Sequence, residues 1–593
     1  MPRVFFCLLI LAATADARVI ALSLDGAGWH VWRQDPAARE LAVLDATAGA
    51  GSARPMIPAF PSTTANSHAA LYTGVWAGRN GIASNDPPML PRAAHTFLER
   101  GNGFRSTFLA AEPLWVAAAR QGRSVAAFQV TQAYPFTPQS AGLDLPQPPV
   151  VCNGYQTARI TPHAAIRPAN VKDEDGAFWT EGLPRAGRPQ RFVTWTTGPY
   201  HFHAAIWGDA LAVAIDPGRW VLVRAEPLES TPPLGRPLAR HYSDPLPLPD
   251  GNAVSFRLFH LAPRGSDFLL HQNAVSELAC AGEKDLAAQL IATRGPFVGN
   301  GPSQLLRQGE FGAVLAQGGD GTAERRYLEA VEYVVRQAAS QMQWLWERRQ
   351  PDLFLGYLNF PDETDHLWLR PDPDARITAC RRWAYAAVNR GLEALASLAG
   401  PDDTLLFMSD HGMTGVSRHL AVNTVLHDAG LLAVDAEGRM DAARSRAVAV
   451  RSGVLLNTTD WKDGVVPPED RRKLLREVEK ALTSVKDPRT GGRIVTRFFD
   501  PARSQGRYGY ECAACADLSF DVAPGWGMTT RLESGPVRVL AEPAGEHGFW
   551  PERDDMQAIL IGRGPGLQLP RRPTAVDAAA VIAKQLGIAW DPR

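Results

Sequence analysis

Short apolar runs recur at wide intervals along the chain and alternate with segments whose apolar residues follow helical spacing. Residues 18–24, 352–358 and 404–408 are runs of the kind buried on both faces of a parallel sheet. Tyr327, Val331, Val334, Ala338, Met342 and Leu345 recur at helical spacing, as do Ile377, Ala384, Val388, Leu392 and Leu395. A late run at 557–561 closes the series. This alternation predicts an α/β core, a doubly wound and mostly parallel sheet flanked by helices, with active residues at the carboxyl ends of its strands.

Two stretches break the rhythm. Residues 145–320 are rich in Pro and Gly and carry alternating segments at 191–196, 220–223 and 254–261, which predicts a β-rich insertion. Residues 415–546 mix a helical segment at 468–482 with short strands and read as a smaller cap region. The core is thereby expected in three parts, 18–144, 321–414 and 547–593. A chain of 593 residues, 45% of them hydrophobic and 21% charged, has the size and composition for more than one such unit. Its formal net charge of −1, without a basic run, excludes an electrostatic surface for duplex nucleic acid or anionic membranes.

The first residues read as a targeting segment. Met1-Pro2-Arg3 is a short basic start, Val4 to Ala13 an apolar stretch, and Ala15-Asp16-Ala17 a small-x-small cleavage site, so residues 1–17 are expected to be a signal peptide and the protein secreted or periplasmic. No other apolar run reaches the ~18 residues of a membrane span. Without Cys7, five cysteines remain, so at least one is a free thiol or pairs outside the chain. Cys512 and Cys515 fit a short-loop disulfide or plain thiols better than a zinc clip, since no second Cys-x-x-Cys exists.

The chemistry lies at the ends of the apolar runs. Asp25 follows the first in Leu24-Asp25-Gly26-Ala27-Gly28, a good place for a metal-binding carboxylate, although Asp-Gly is also a common turn. A helix is predicted to begin near Thr64, in Pro61-Ser62-Thr63-Thr64-Ala65-Asn66-Ser67-His68, and to stop at Gly74. A hydroxyl there either caps the helix or acts as a nucleophile beside its N-terminal amides. Asp362 and His366, four residues apart, face one ion from one helical turn. Asp410-His411 supplies two more donors if the chain turns sharply, as Gly412 permits, and His547 precedes the last run. Each His alone is more often a satisfied core residue than a ligand. Together, three Asp, three His and a hydroxyl suffice for two zinc sites with room for substrate.

These segments resemble the alkaline phosphatase superfamily, in particular its type I phosphodiesterase/nucleotide pyrophosphatase branch. The likeness rests on residues 22–26, 60–74, Gly81-Ile82-Ala83-Ser84-Asn85, Glu112-Pro113-Leu114-Trp115-Val116, 357–362 with His366, 410–413 and His547-Gly548. It implies an alkaline-phosphatase-like fold and two Zn2+ per chain. Asp362, His366 and His547 would hold one ion, and Asp25, Asp410, His411 and the Thr64 hydroxyl the other. Thr64 would attack phosphorus to form a phospho-threonine, Asn85 would donate to a non-bridging oxygen, and Tyr357 would contact substrate.

The sequence also departs from that pattern. Ala65 stands where nucleotide-cleaving relatives carry an aromatic that stacks on the base, and Asp365 replaces the glycine usual before the ligand histidine. Monoesterases of the superfamily add cations for a dianionic phosphate; the stretch after Trp115 reads Gly122-Arg123-Ser124-Val125-Ala126-Ala127-Phe128-Gln129, without Lys and with no Lys-x-Arg beyond it. The expected reaction is therefore hydrolysis of small phosphate diesters or pyrophosphates. Arg191, His201 and His203 of the insertion are the candidates for supplying a missing charge. Phosphomonoester and phosphonate hydrolysis are the alternatives within the superfamily, and a non-catalytic binding protein is the alternative outside it. A sulfatase is excluded, because Ser62-Thr63-Thr64 is not its Cys/Ser-x-Pro-x-Arg signature.

Overall fold

The computed structural model describes residues 18–592 apart from 180, 181, 184, 186, 229–240 and 502–505. The expected targeting segment, residues 1–17, lies outside the described residues. The apolar runs assemble into an eight-stranded sheet. In chain order its strands are β1 (Val19–Leu24), β2 (Ser52–Met56), β3 (Val125–Phe128), β4 (Val150–Asn153), β5 (Ala279–Ala281), β6 (Leu353–Leu358), β7 (Thr404–Met408) and β8 (Ala558–Arg563). They are ordered β5-β4-β3-β6-β1-β7-β8-β2. The run from β4 to β7 is parallel. The β5 strand pairs antiparallel with β4, and β8 pairs antiparallel with both β7 and β2.

Alternate side chains of these strands enter different layers, which is why the central ones are almost entirely apolar. Ile20, Leu22, Phe354 and Leu405 pack with α3 (Thr322–Arg349) and α5 (Ala375–Ala396). Val19, Ala21, Leu355 and Leu406 pack on the opposite face with α1 (Thr64–Thr73), α2 (Leu114–Arg120) and α6 (Asp577–Leu586). Every periodic position read from the sequence on α3 and α5 is buried. Each large aliphatic side chain taken from water contributes about 2 kcal/mol to this three-layer core. Asp374 starts α5 by accepting from Arg376 and Ile377 N–H at 2.8 and 3.0 Å.

Within residues 145–320, β4 and β5 belong to the central sheet. Cys152 and Cys280 face each other across that pair and form a disulfide. The remaining regular structure is mainly β, chiefly a five-stranded antiparallel sheet that includes Arg191–Thr197 and Arg219–Arg224 and packs on a core around Trp195, Phe202 and Phe256. Residues 415–546 add a three-stranded sheet in which Thr414–Ala421 lies between Trp526–Thr529 and Val537–Glu546, a four-stranded sheet, and the helix Arg471–Ser484. Cys512 is bonded to Cys515, and Cys380 is a buried thiol. No helix among the described residues is long and apolar enough to cross a membrane.

Candidate active site

Three adjacent strands of the central sheet end in the candidate site. Asp25 follows β1 and donates its N–H to Leu358 O of β6 at 2.9 Å, while Asp362 N–H donates to Asp25 O at 3.0 Å. The two carboxylates are thus fixed by one backbone crossing. Gly26 makes this crossing possible: its φ is +68°, and a Cβ there would lie 2.9 Å from Asp362 Cβ. The Gly26 N–H also donates to Asp410 Oδ1 at 3.0 Å, drawing in the carboxylate that follows β7. Asp362 opens the short helix α4 (Asp362–Trp368), so His366 lies one turn on, its Nε2 3.4 Å from Asp362 Oδ2. His547 reaches the site from Val537–Glu546, a strand of the outer three-stranded sheet rather than the central one.

The turn after Asp410-His411 is not a left-handed glycine turn. Gly412 is required by a close approach instead: its N–H donates to Met556 O at 2.8 Å, and a Cβ would fall 2.2 Å from Asp555 O.

Thr64 is the first residue of α1, but Thr63 holds the capping position, and Gly74 ends the helix in the left-handed conformation with φ 66°. Thr64 Oγ1 faces His411 Nε2 at 3.4 Å. Asn85 accepts the Ala65 N–H through Oδ1 at 2.8 Å, which turns its Nδ2 toward the cavity. That amide therefore serves to orient Asn85.

Each site histidine is anchored on one side. Nδ1 of His366, His411 and His547 donates to the carbonyls of Gly545, Gly412 and Ser62 at 2.8, 3.0 and 2.8 Å. All three rings therefore turn Nε2 away from these carbonyls, the orientation of metal-ligating imidazoles. Opposite them, Asp25 Oδ1, Asp362 Oδ1 and Asp410 Oδ2 are buried and accept no hydrogen bond among the described residues. Donor atoms of Asp25, Asp410 and His411 converge as one group, and those of Asp362, His411 and His547 as another. His411 belongs to both, while His366 closes on Asp362 alone. Unsatisfied buried carboxylate oxygens cost ~1–3 kcal/mol each or more, so this donor set fits divalent cations.

Electrostatics points the same way. Burial, then the neighbouring Asp410 and Asp362, push the Asp25 carboxyl well above the usual carboxylate range. Burial acts likewise on Asp362, yet His366, His547 and His411 hold it below that range. Burial opposes protonation of His366, but Asp362 lifts it to about 9. Burial, with His411 and His366, depresses His547 well below an ordinary imidazole. A dry cluster whose carboxylates repel one another is relieved by a cation.

Asp25, Thr64, Asn85, Tyr357, Asp362, His366 and His547 line one cavity of about 730 Å³. Asp410 and His411 are fully buried. Tyr357 donates its hydroxyl to Asp25 Oδ2 at 2.5 Å, with its ring edge-on to Tyr155. Asp365 faces away from the cluster into an ion pair with Arg381 at 2.9 Å. Arg191 pairs with Asp173 at 2.6 Å and His203 with Glu174 at 3.0 Å, while His201 meets Thr196 at 3.0 Å. None of these three lines the cavity.

Sequence reasoning assigned no role to His68, which stands one helical turn after Thr64. Its Nδ1 lies 2.9 Å from Thr64 O and 3.4 Å from Asp410 Oδ2, and its Nε2 2.8 Å from Ser23 Oγ. Burial keeps the ring neutral, with its one proton on Nδ1 donated to Thr64 O. The i, i+4 spacing from Thr64 was the available signal. Also unassigned were Tyr155, whose hydroxyl donates to Asn359 Oδ1 at 2.8 Å, and the cavity arginines Arg105, Arg307 and Arg451.

Residues 19–202 and 303–550 match the family described as type I phosphodiesterase/nucleotide pyrophosphatase. No curated protein matches the chain. Among solved structures it is similar to human ectonucleotide pyrophosphatase/phosphodiesterase 5, with 14% identity, 97% of this chain and 96% of that chain covered, and a TM-score of 0.46. An inactive variant of the murine protein in complex with AMP is 13% identical over 97% of this chain and 96% of that chain, with a TM-score of 0.47.

Proposed function

The chain belongs to the type I phosphodiesterase/nucleotide pyrophosphatase family, and from that membership we propose that it is a zinc-dependent hydrolase of small phosphate diesters or pyrophosphates, acting through a covalent intermediate on Thr64. The observation that carries this reading is the convergence of the unpartnered Asp25, Asp362 and Asp410 oxygens with His411 and His547, beside a Thr64 hydroxyl 3.4 Å from His411 Nε2 and with His366 on Asp362.

Asp362, His366 and His547 would hold one ion, and Asp25, Asp410 and His411, with the Thr64 hydroxyl, the other. The mixed nitrogen and carboxylate donor set suits zinc. Bound zinc supplies Lewis acidity that lowers the pKa of the Thr64 hydroxyl and balances charge on the leaving oxygen. Thr64 gives its proton to solvent, and its Oγ bonds to phosphorus as the ester bond breaks and the leaving group departs as an oxyanion. The adduct on Thr64 keeps the second ester arm. Water then displaces Oγ and releases a monoester. Asn85, held by the Ala65 amide, points Nδ2 at a non-bridging oxygen and stabilises charge developing there. Tyr357 orients Asp25 and walls the cavity. Ala65 offers no ring of its own to a nucleobase, so discrimination among bases should be weak.

The disulfides Cys152–Cys280 and Cys512–Cys515 support export to an oxidising compartment, secreted or periplasmic, with residues 1–17 as the signal.

A screen of the zinc-loaded protein against bis-p-nitrophenyl phosphate, p-nitrophenyl phosphate, a dinucleotide and phosphonoacetate tests the reaction class. The expected result is a higher kcat/KM for the aryl diester than for the aryl monoester. A monoester preference of about tenfold or more, ~1.4 kcal/mol of transition-state binding, would overturn it.

A further inference from the structure

Three arginines reach the cavity from separate parts of the chain. Arg105 lies on the loop that packs against the Asn85 turn: Gly103 N–H donates to Asn85 O at 2.9 Å, and a Cβ on Gly103 would fall 2.1 Å from Ser84 O. Gln132 holds that loop to the nucleophile's helix, donating to Gly103 O at 2.8 Å and Ala65 O at 3.0 Å. Arg307 ends the short helix Ser303–Arg307, in a segment tied to α4 by the bond from Gly301 N–H to Glu363 Oε2 at 2.9 Å. Arg451 sits at the tip between the strands Ala447–Val450 and Gly453–Leu456. Ser452 beside it is left-handed with φ 57°, an uncommon conformation for a side chain other than glycine, and its hydroxyl donates to Gly548 O next to His547.

No carboxylate pairs with any of these three arginines among the described residues. Near the same cavity, Arg370 is paired with Glu542 at 2.8 Å and Arg381 with Asp365. The one cavity carboxylate outside the cation cluster, Glu363, is already occupied by Gly301 N–H, by Asn359 Nδ2 at 2.9 Å and by the Tyr327 hydroxyl at 3.4 Å. Three guanidinium groups therefore share the space into which a substrate arm extends, none of them in a salt bridge among the described residues, and Arg307 acts on Glu363 only as a nearby charge. A second cavity of about 300 Å³ shares Arg307 and His366 with the first, which gives that arm room.

We propose that Arg105, Arg307 and Arg451 form a seat for a second anionic group, so that the preferred substrate is a phosphate ester carrying a carboxylate or a further phosphate-like group on one arm. This rests on the diesterase reading of the same site. Guanidinium forks match both groups in geometry and stay charged at every working pH.

The test uses aryl p-nitrophenyl phosphates with one common leaving group and an arm that is phenyl, carboxyphenyl, phosphonophenyl or trimethylammoniophenyl. Wild type should favour the two anionic arms over phenyl by about tenfold in kcat/KM, disfavour the cationic arm, and lose part of the preference as salt rises. The relative rates of the carboxylate and phosphonate arms identify which anion the seat takes. R105Q, R307Q and R451Q should each cut the anionic-to-neutral ratio about threefold or more, and the triple variant should abolish it. Calorimetry with the T64A chain should give the same order of arms as binding constants. Equal treatment of neutral and anionic arms by the wild type, or a preference that survives the triple substitution, would overturn the proposal. If T64A binds the anionic arms best but wild type turns over none of the esters, the reaction assignment fails while the arginine seat stands.

Discussion

The imidazole rings of His411 and His547 lie face to face, with centroids 3.8 Å apart and planes within 8°. Stacked this way, the two rings can offer their Nε2 atoms to neighbouring ions. Since Asp25, Asp362 and Asp410 supply the oxygens, the zinc-supplemented protein should hold two ions per chain. H366A and D410A should each retain one. Elemental analysis checks this, and one ion or none in the supplemented wild type would contradict the two-metal reading. Zinc should also raise the unfolding midpoint by mass action.

Asp365 takes no part in the site, and its replacement should read out as stability. Its carboxylate is fully buried against Arg381, whose side chain is 1% exposed, and it also accepts from the Tyr385 hydroxyl at 2.6 Å. D365G leaves Arg381 with Asp35 alone and should cost about 3 kcal/mol. Thermal unfolding checks this, and metal content should stay at two ions per chain. Loss of a metal without loss of stability would place Asp365 in the cluster instead.

A half-buried histidine, His163, stacked on the buried His271 sets a pH dependence. His163 Nδ1 lies 3.2 Å from His271 Nε2, and the Tyr242 hydroxyl lies 2.7 Å from His271 Nδ1. Burial lowers His163 to about 4 and His271 well below its usual value. Between pH 6.5 and about 4 the unfolded chain takes up protons that the folded chain refuses. Stability therefore rises with pH across that window and is lost as pH falls through it. The wild-type unfolding midpoint should fall more steeply from pH 6.5 to 4.5 than that of H163Q; equal slopes would contradict the assignment.

Four strands of the central sheet were legible because strands buried on both faces are apolar at nearly every position, as at 405–408, and because α3 and α5 carry one apolar stripe each. The candidate cluster could be anticipated because several carboxylates and histidines together follow such strands, each of which alone has ordinary structural uses. Pairings that depend on distant segments were not legible. Cys152 meets Cys280 across 128 residues of sequence, and Arg381 finds Asp365 only once α4 packs on α5. The cavity's cations were also missed, since no local pattern marks an arginine that will end up without an acid. The insertion's Arg191 and His203 met acids of their own instead.

Ser62 and Thr63 provide the control for the nucleophile. Ser62 donates to Phe549 O at 2.9 Å and Thr63 to Asn66 Oδ1 at 2.7 Å, so S62A and T63A should each cost about 1 kcal/mol of stability and change kcat less than tenfold. Hydroxyls that only shape the loop behave this way.

The decisive measurement is made on Thr64 itself, with the zinc-loaded protein and bis-p-nitrophenyl phosphate. Turnover should fall by about a thousandfold or more in T64A and persist in part in T64S, since the activated group is the hydroxyl. Acid quench during wild-type turnover, followed by peptide mass analysis, should find a phosphoryl adduct on Thr64 and none in T64A. Wild-type rates in T64A, with no adduct in either protein, would contradict the account.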